Sequence, residues 1–156
     1  MIIHPPIKGC YHQDNFLDED LINYYGHSSV KGAGNAFYNH DLNVQDDMVR
    51  YLCEKIQRVQ GKPIEILRVY FNVQHSGMDG DWHEDDGDVT YLLMITKTLQ
   101  PGDGCFEIKE KNKIKKIHFV QNRLIYFDSS MSHRGRSPKE YEIEPRITLA
   151  FKTKEI

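Results

Sequence analysis

The sequence predicts a mainly β protein with supporting helices: a double-stranded β-helix, or jelly-roll, core with N-terminal helices packed on one sheet. Three observations lead there. Helical periodicity is confined to roughly the first sixty residues, β-branched and apolar runs follow one another at close intervals after Pro63, and turn residues separate those runs. A chain of 156 residues is expected to form one domain, large enough for one core and too small for two. Its helical part runs over about 14–61 and its jelly-roll core over about 63–153.

Taken in order, Asp14 to Ile22 reads as turn and helix-start chemistry, with Asp14 or Asp18 as a cap, and predicts a helix near Asp18 to Tyr25. A longer helix is predicted near Val44 to Gln60, where Val44, Met48, Tyr51, Leu52, Ile56 and Val59 recur at helical spacing. Gly61-Lys62-Pro63 ends it. Strands are predicted at Ile64 to Val73, Val89 to Thr96, Cys105 to Glu110, Lys115 to Val120, Arg123 to Asp128 and Arg146 to Lys152. Turns fall at Gly77 to Gly80, Pro101 to Gly104 and Asn112.

Hydrophobic content of 39% and charged content of 28% are those of an ordinary soluble globular protein. A net charge of −3 argues against nucleic acid as a partner, because phosphate backbones are held by clustered Lys and Arg. No run has the length of a membrane span. Cys10, Cys53 and Cys105 are odd in number and lack Cys-x-x-Cys, so neither a disulfide framework nor a zinc knuckle is expected. The N-terminus has neither the basic nor the apolar region of a secretion signal, and the expected location is a reducing cytoplasm.

The chemistry-bearing signals are His83-Glu84-Asp85, just before one apolar run, and His133, fifty residues later, just after another. His-x-Asp is a cheap pattern in a chain with 8 His, and it occurs a second time as His12-Gln13-Asp14. The later copy carries more weight because Val89 to Ile95 follows as a buried strand, and residues two apart on extended chain share a face. His83 and Asp85 then point together into a cavity, with Glu84 turned away. The competing reading is a surface-loop histidine among acids. Two His and one carboxylate cover one face of a metal ion and leave the opposite positions open, as non-haem ferrous oxygenases require.

The last strand supplies the second clue. Ile147, Leu149 and Phe151 alternate with Arg146, Thr148 and Ala150. If the apolar set packs under the helices, Arg146 and Thr148 look into the sandwich, where an unpaired guanidinium is costly and calls for an anion. Alternatively, Arg146 lies at an exposed strand end and pairs with Glu144 or another surface acid.

These residues, taken together, resemble the iron(II) and 2-oxoglutarate dependent dioxygenase superfamily, and within it the prolyl 4-hydroxylase-like branch. The resemblance covers most of the chain: Tyr70, His83-Glu84-Asp85, Tyr91 to Ile95, Gly102-Asp103-Gly104-Cys105-Phe106, Asn122-Arg123-Leu124-Ile125-Tyr126-Phe127, His133, and Arg146-Ile147-Thr148 thirteen residues beyond it. It departs from the pattern in a longer Tyr70 to His83 interval, in Gly-Asp-Gly for Gly-Gly, and in lacking the appended domains that read peptides in larger relatives. The resemblance implies a hydroxylase. In it His83, Asp85 and His133 hold Fe(II), and 2-oxoglutarate is anchored by Arg146 with Thr148 and Tyr70. Dioxygen is the oxidant, ascorbate an accessory reductant, and succinate and CO2 are released. The substrate would be a peptidyl proline, an amino acid or another small molecule.

Two other classes stay open. One is a calcium-dependent jelly-roll binding module using Asp79, Asp81, Glu84, Asp85, Asp86 and Asp88, although their spacing is not that of an EF-hand. The other is oxidative demethylation of nucleic acid on the same core, which usually brings a second Arg after the co-substrate Arg; none follows Arg146. Otherwise the acids form a solvated rim favouring a basic substrate, and Lys109 to Lys116 an exposed hairpin. Trp82 lines a substrate channel or packs under a loop, and Arg134 and Arg136 contact substrate or solvent. Gly32-Ala33-Gly34 lacks the context of a phosphate loop, and His4, His27, His40, His75 and His118 are not expected to be ligands.

Overall fold

The computed structural model describes residues 7–19, 21–22 and 38–156. Its elements are β1 (Cys10–Gln13), β2 (Tyr38–Leu42), α1 (Asp47–Gln60), β3 (Ile64–Gln74), β4 (Val89–Met94), β5 (Phe106–Glu110), β6 (Lys113–Ile117), β7 (Leu124–Asp128), β8 (His133–Gly135) and β9 (Arg146–Glu155). Most of the helix expected near Asp18 to Tyr25, and Gly32-Ala33-Gly34, lie outside the described residues.

The strands form a six-stranded antiparallel sheet, in the order β1-β7-β4-β9-β3-β2, and a three-stranded one, β6-β5-β8. Antiparallel strands joined across two facing sheets make the expected jelly roll. The large sheet is buried on both faces. One face, with Val69, Phe71, Leu93, Leu124 and Leu149, packs with Leu52 and Ile56 of α1. The other, with Leu92, Met94, Ile125, Phe127 and Ala150, packs against Phe106, Ile108 and Ile117 of the small sheet. Strands covered on both sides read as unbroken apolar runs, as Val-Thr-Tyr-Leu-Leu-Met does in β4.

Helix α1 begins three residues later than its apolar spacing suggests. Asn43 and Asp46 take the backbone first: Asn43 accepts from the Gln45 and Asp46 amides, and the Asp46 carboxylate caps Met48 N at 3.0 Å. Its buried face is Val49, Leu52 and Ile56, leaving Tyr51 and Val59 exposed. Gly61 closes it in the left-handed region, φ 69°.

Strand β3 contains a bulge. Ile66 pairs with Thr153 and Arg68 with Lys152, so Leu67 is an extra residue. Ile64 and Ile66 belong to the helix-side core before it, and Val69, Phe71 and Val73 after it. Arg68, Tyr70, Asn72 and Gln74 are thereby turned to the opposite face, toward the interior of the jelly roll.

Asn122 fastens the N-terminal segment to the core. Its side chain accepts from Leu17 N at 2.7 Å and donates to Leu17 O at 2.6 Å, while its own backbone lies at φ 69°. Asn122→Ala strands both Leu17 groups and leaves alanine in the left-handed region, which Asn tolerates better. The expected loss is about 3 kcal/mol, read by urea denaturation; a loss below about 1 kcal/mol would refute the clamp.

Candidate metal centre

His83 and Asp85 lie in the segment between β3 and β4, and His133 opens β8. An antiparallel bridge ties them, with His83 N donating to His133 O at 3.0 Å and His133 N to His83 O at 2.9 Å. Asp85 N donates to Ser129 O at 2.9 Å. One ligand atom from each of the three side chains falls within 4.8 Å of the others, the sole such group among the described residues.

Both imidazoles are set the same way. The Nδ1 of His83 is 2.7 Å from Asp81 O and that of His133 is 2.8 Å from Met131 O. A carbonyl only accepts, so each Nδ1 carries a proton, and each Nε2 is turned toward Asp85, where it can donate to the carboxylate or, once deprotonated, take a metal. The Asp85 carboxylate meets them, Oδ1 at 3.6 Å from His83 Nε2 and Oδ2 at 3.2 Å from His133 Nε2, and accepts from Thr90 Oγ1 at 2.8 Å. Burial alone would push the Asp85 carboxyl upward. The hydrogen bond and charge of His133, the charge of Lys152 and the Thr90 hydroxyl outweigh it and hold the group down at about 2.

The triad faces a cavity of about 220 Å³ between the sheets. Leu92, Phe106, Phe127 and Ala150 give it an apolar wall, with the Phe127 ring 4.6 Å from that of His133. Also in its lining are Gln74, Arg146 and Thr148. Arg146 is 2% exposed, so it is not the strand-end residue paired with Glu144. Its Nε donates to Gly104 O at 2.7 Å and its Nη1 to Gln74 Oε1 at 2.8 Å, while Nη2 and the Thr148 hydroxyl are buried without partners. Burial pushes the guanidinium down to about 10, still charged at neutral pH. Gly104 and Gly135 make room for it: a β-carbon at Gly135 would come within 2.8 Å of Nη1.

No protein-family model and no curated protein matches the chain. Solved structures do. A 2OG-Fe(II) oxygenase family oxidoreductase from Burkholderia pseudomallei superposes with a TM-score of 0.75 at 11% identity, over 94% of this chain and 84% of that one. A prolyl-4-hydroxylase from Pseudomonas putida gives 0.70 at 17% identity, over 96% and 94%. HygX from Streptomyces hygroscopicus, with nickel, 2-oxoglutarate and hygromycin B bound, gives 0.73 at 10% identity, over 96% and 84%.

The fold is that of the 2-oxoglutarate and iron(II) oxygenases.

Within this oxygenase fold Tyr70 lines the cavity, its hydroxyl pushed up first by burial and then by the charge of Asp85. Glu84 lines it too, where the alternation of side chains had turned it away. Trp82 does not: it lies under Lys109 and Arg134, each 4.5 Å from its ring. Arg134 and Arg136 close on the buried Glu107 carboxylate at 3.0 and 3.3 Å, and Arg136 reaches Asp79 at 3.2 Å. Among the acids proposed for calcium, Asp79 accepts from Ser137 N and Asp88 from Glu155 N, and only Asp85 joins the metal-competent group. His12, His40, His75 and His118 stand apart from it, and His4 and His27 lie outside the described residues. Lys113 to Lys116 are exposed on the β5–β6 hairpin, and the three cysteines are free. No helix of the described residues is long and apolar enough to cross a membrane.

The sequence reading missed Gln74, Arg68 and Lys152, all of which line the cavity. Gln74 has the parity of Tyr70 on one strand, a signal that could have found it. Nothing in the sequence marks the bulge that aims Arg68.

Proposed function

We propose that the protein is an Fe(II)- and 2-oxoglutarate-dependent oxygenase that hydroxylates a C–H bond of a small molecule, amino acid or peptidyl proline, releasing succinate and CO2. One observation carries the reading: two imidazoles and a carboxylate face the same cavity as a buried guanidinium whose Nη2 has no hydrogen-bond partner and a neighbouring hydroxyl that has none either.

The residues fit the group. A mixed nitrogen and carboxylate set suits a transition metal better than calcium, which takes oxygen ligands. A buried cation with no carboxylate partner among the described residues calls for an anion, and a planar guanidinium beside a hydroxyl receives a carboxylate through parallel hydrogen bonds. Iron, when bound, supplies the oxidising power that couples decarboxylation of 2-oxoglutarate by dioxygen to oxidation of the substrate.

The protein does the rest. His83, Asp85 and His133 would present the metal with three fixed donors on one face, their Nδ1 protons held by Asp81 and Met131 carbonyls. Arg146 and Thr148 would hold the far carboxylate, with Gln74 keeping the guanidinium aimed. Tyr70 would stand against the same co-substrate, and Leu92, Phe106 and Phe127 exclude water from it. HygX has nickel, 2-oxoglutarate and hygromycin B bound, which supports a small-molecule substrate.

Anaerobic titration of the Fe(II)-loaded protein with 2-oxoglutarate is expected to develop a weak visible charge-transfer band that saturates at one equivalent. Absence of the band in protein shown to hold iron would sink the proposal.

A further inference from the structure

The β3 bulge sets Arg68 directly opposite Lys152 in the β3–β9 ladder. Like charges directly opposite one another on adjacent strands repel. They straddle one ring: the Arg68 guanidinium is 4.1 Å from the centroid of Tyr70 and the Lys152 ammonium 5.6 Å from it. A bulge that turns a cation toward a second cation, in the wall of a cavity, makes sense where an anion is to be held between them.

Their present partners leave that need unmet. Arg68 donates to Asp41 at 2.8 Å in an ion pair with both side chains open to solvent, which contributes little. Lys152 is 17% exposed, and its one ion pair is with Asp85 Oδ1 at 3.5 Å. A divalent metal on Asp85 takes over that carboxylate and adds two positive charges close to the ammonium. With the far carboxylate of 2-oxoglutarate held by Arg146 and the near one by the metal, as the oxygenase reading has it, the anion that fits between Arg68 and Lys152 would come from the substrate.

The wall carries one more charge. Glu84 lines the cavity, exposed, with no ion pair among the described residues. Two cations and a carboxylate in one cavity wall match a molecule bearing both signs. The cavity, about 220 Å³ before the co-substrate enters it, leaves room for a small one.

Resting on the oxygenase reading, we propose that the substrate is a free amino acid whose carboxylate is held by Lys152 and Arg68 beside the metal and whose ammonium faces Glu84. The carbon oxidised is then only a few bonds from that carboxylate. This substrate differs from the basic one expected from the acidic cluster Asp79 to Asp88.

The test uses the full-length protein loaded anaerobically with Fe(II) and 2-oxoglutarate, titrated with each of the twenty L-amino acids and with their carboxamides. The charge-transfer band and the melting temperature are followed. At least one free acid is expected to shift both, with its amide binding at least about tenfold more weakly. Lys152→Met and Arg68→Met should each weaken that acid about tenfold or more while the 2-oxoglutarate band itself persists. Equal binding of acid and amide, wild-type binding of the acid by both variants, or no response to any free acid overturns the proposal. A protein that gives no 2-oxoglutarate band fails at the earlier reading instead, and the two failures are distinct.

Discussion

His133→Ala is expected to remove metal binding and turnover together while leaving the fold in place. The side chain is 5% exposed and contributes one of three donors, with its Nε2 aimed at the Asp85 carboxylate. Loss of a group that merely orients a ligand costs about 10–100-fold in metal affinity, and loss of the ligand itself costs more than about 100-fold. The bridge to His83 is made by backbone groups, which alanine keeps. Stability should fall only by the cavity left between Phe106 and Phe127, about 1–3 kcal/mol. His12→Ala is the matched control. It belongs to the other His-x-Asp, whose Asp14 is engaged by Arg123 at 2.7 and 3.2 Å. Calorimetric titration with Fe(II) or Ni(II) under anaerobic conditions checks both; tight binding by the His133 variant would sink the triad.

Arg146→Met should move affinity and stability in opposite directions. If the guanidinium receives the far carboxylate of 2-oxoglutarate, truncating it costs about 2–5 kcal/mol of binding, a rise in Kd of at least about 30-fold. In the protein without co-substrate the same charge is a liability. It is buried, has no carboxylate partner among the described residues, and leaves Nη2 unsatisfied. The sign follows from its lowered pKa: the fold disfavours the charged form, and that cost is present at every pH below about 10. Losing the bonds to Gly104 O and Gln74 offsets part of the gain, and the net expected change is a more stable apoprotein. Urea denaturation in the absence of metal and 2-oxoglutarate reads it. Destabilisation beyond about 1 kcal/mol would make Arg146 a structural residue.

How much of this was legible differs with the kind of residue. The meeting of His83, Asp85 and His133 and the burial of Arg146 in the same cavity could be anticipated because few side chain types offer metal donors or a carboxylate fork, and because each stands next to a long apolar strand that announces itself. The strands β1, β2 and β8 could not. They read Cys-Tyr-His-Gln, Tyr-Asn-His-Asp-Leu and His-Arg-Gly, with no alternation, and owe their conformation to pairing with β7, β3 and β5. The edge of the metal site therefore looked like loop. Trp82 and Arg134, neighbours of the ligands in sequence, suggested substrate contact, yet they pack on one another and on Lys109 and Glu107. Lys152 was visible only as the end of the last strand, because its place opposite Arg68 depends on an insertion of one residue in a different strand.

The bridge between His83 and His133 bears on how the molecule matures. Before the chain has closed, His83 and Asp85 are a two-donor pair in a loop, and the third donor is fifty residues away. It arrives only when β8 docks on β5, with His133 opposite Ile108. A metal bound by all three donors would therefore require both sheets to have met. Because the bridge and the bond from Asp85 N to Ser129 O are made by backbone groups, the donors are kept together by the fold and not by an ion, and a metal could leave and return without the chain having to refold.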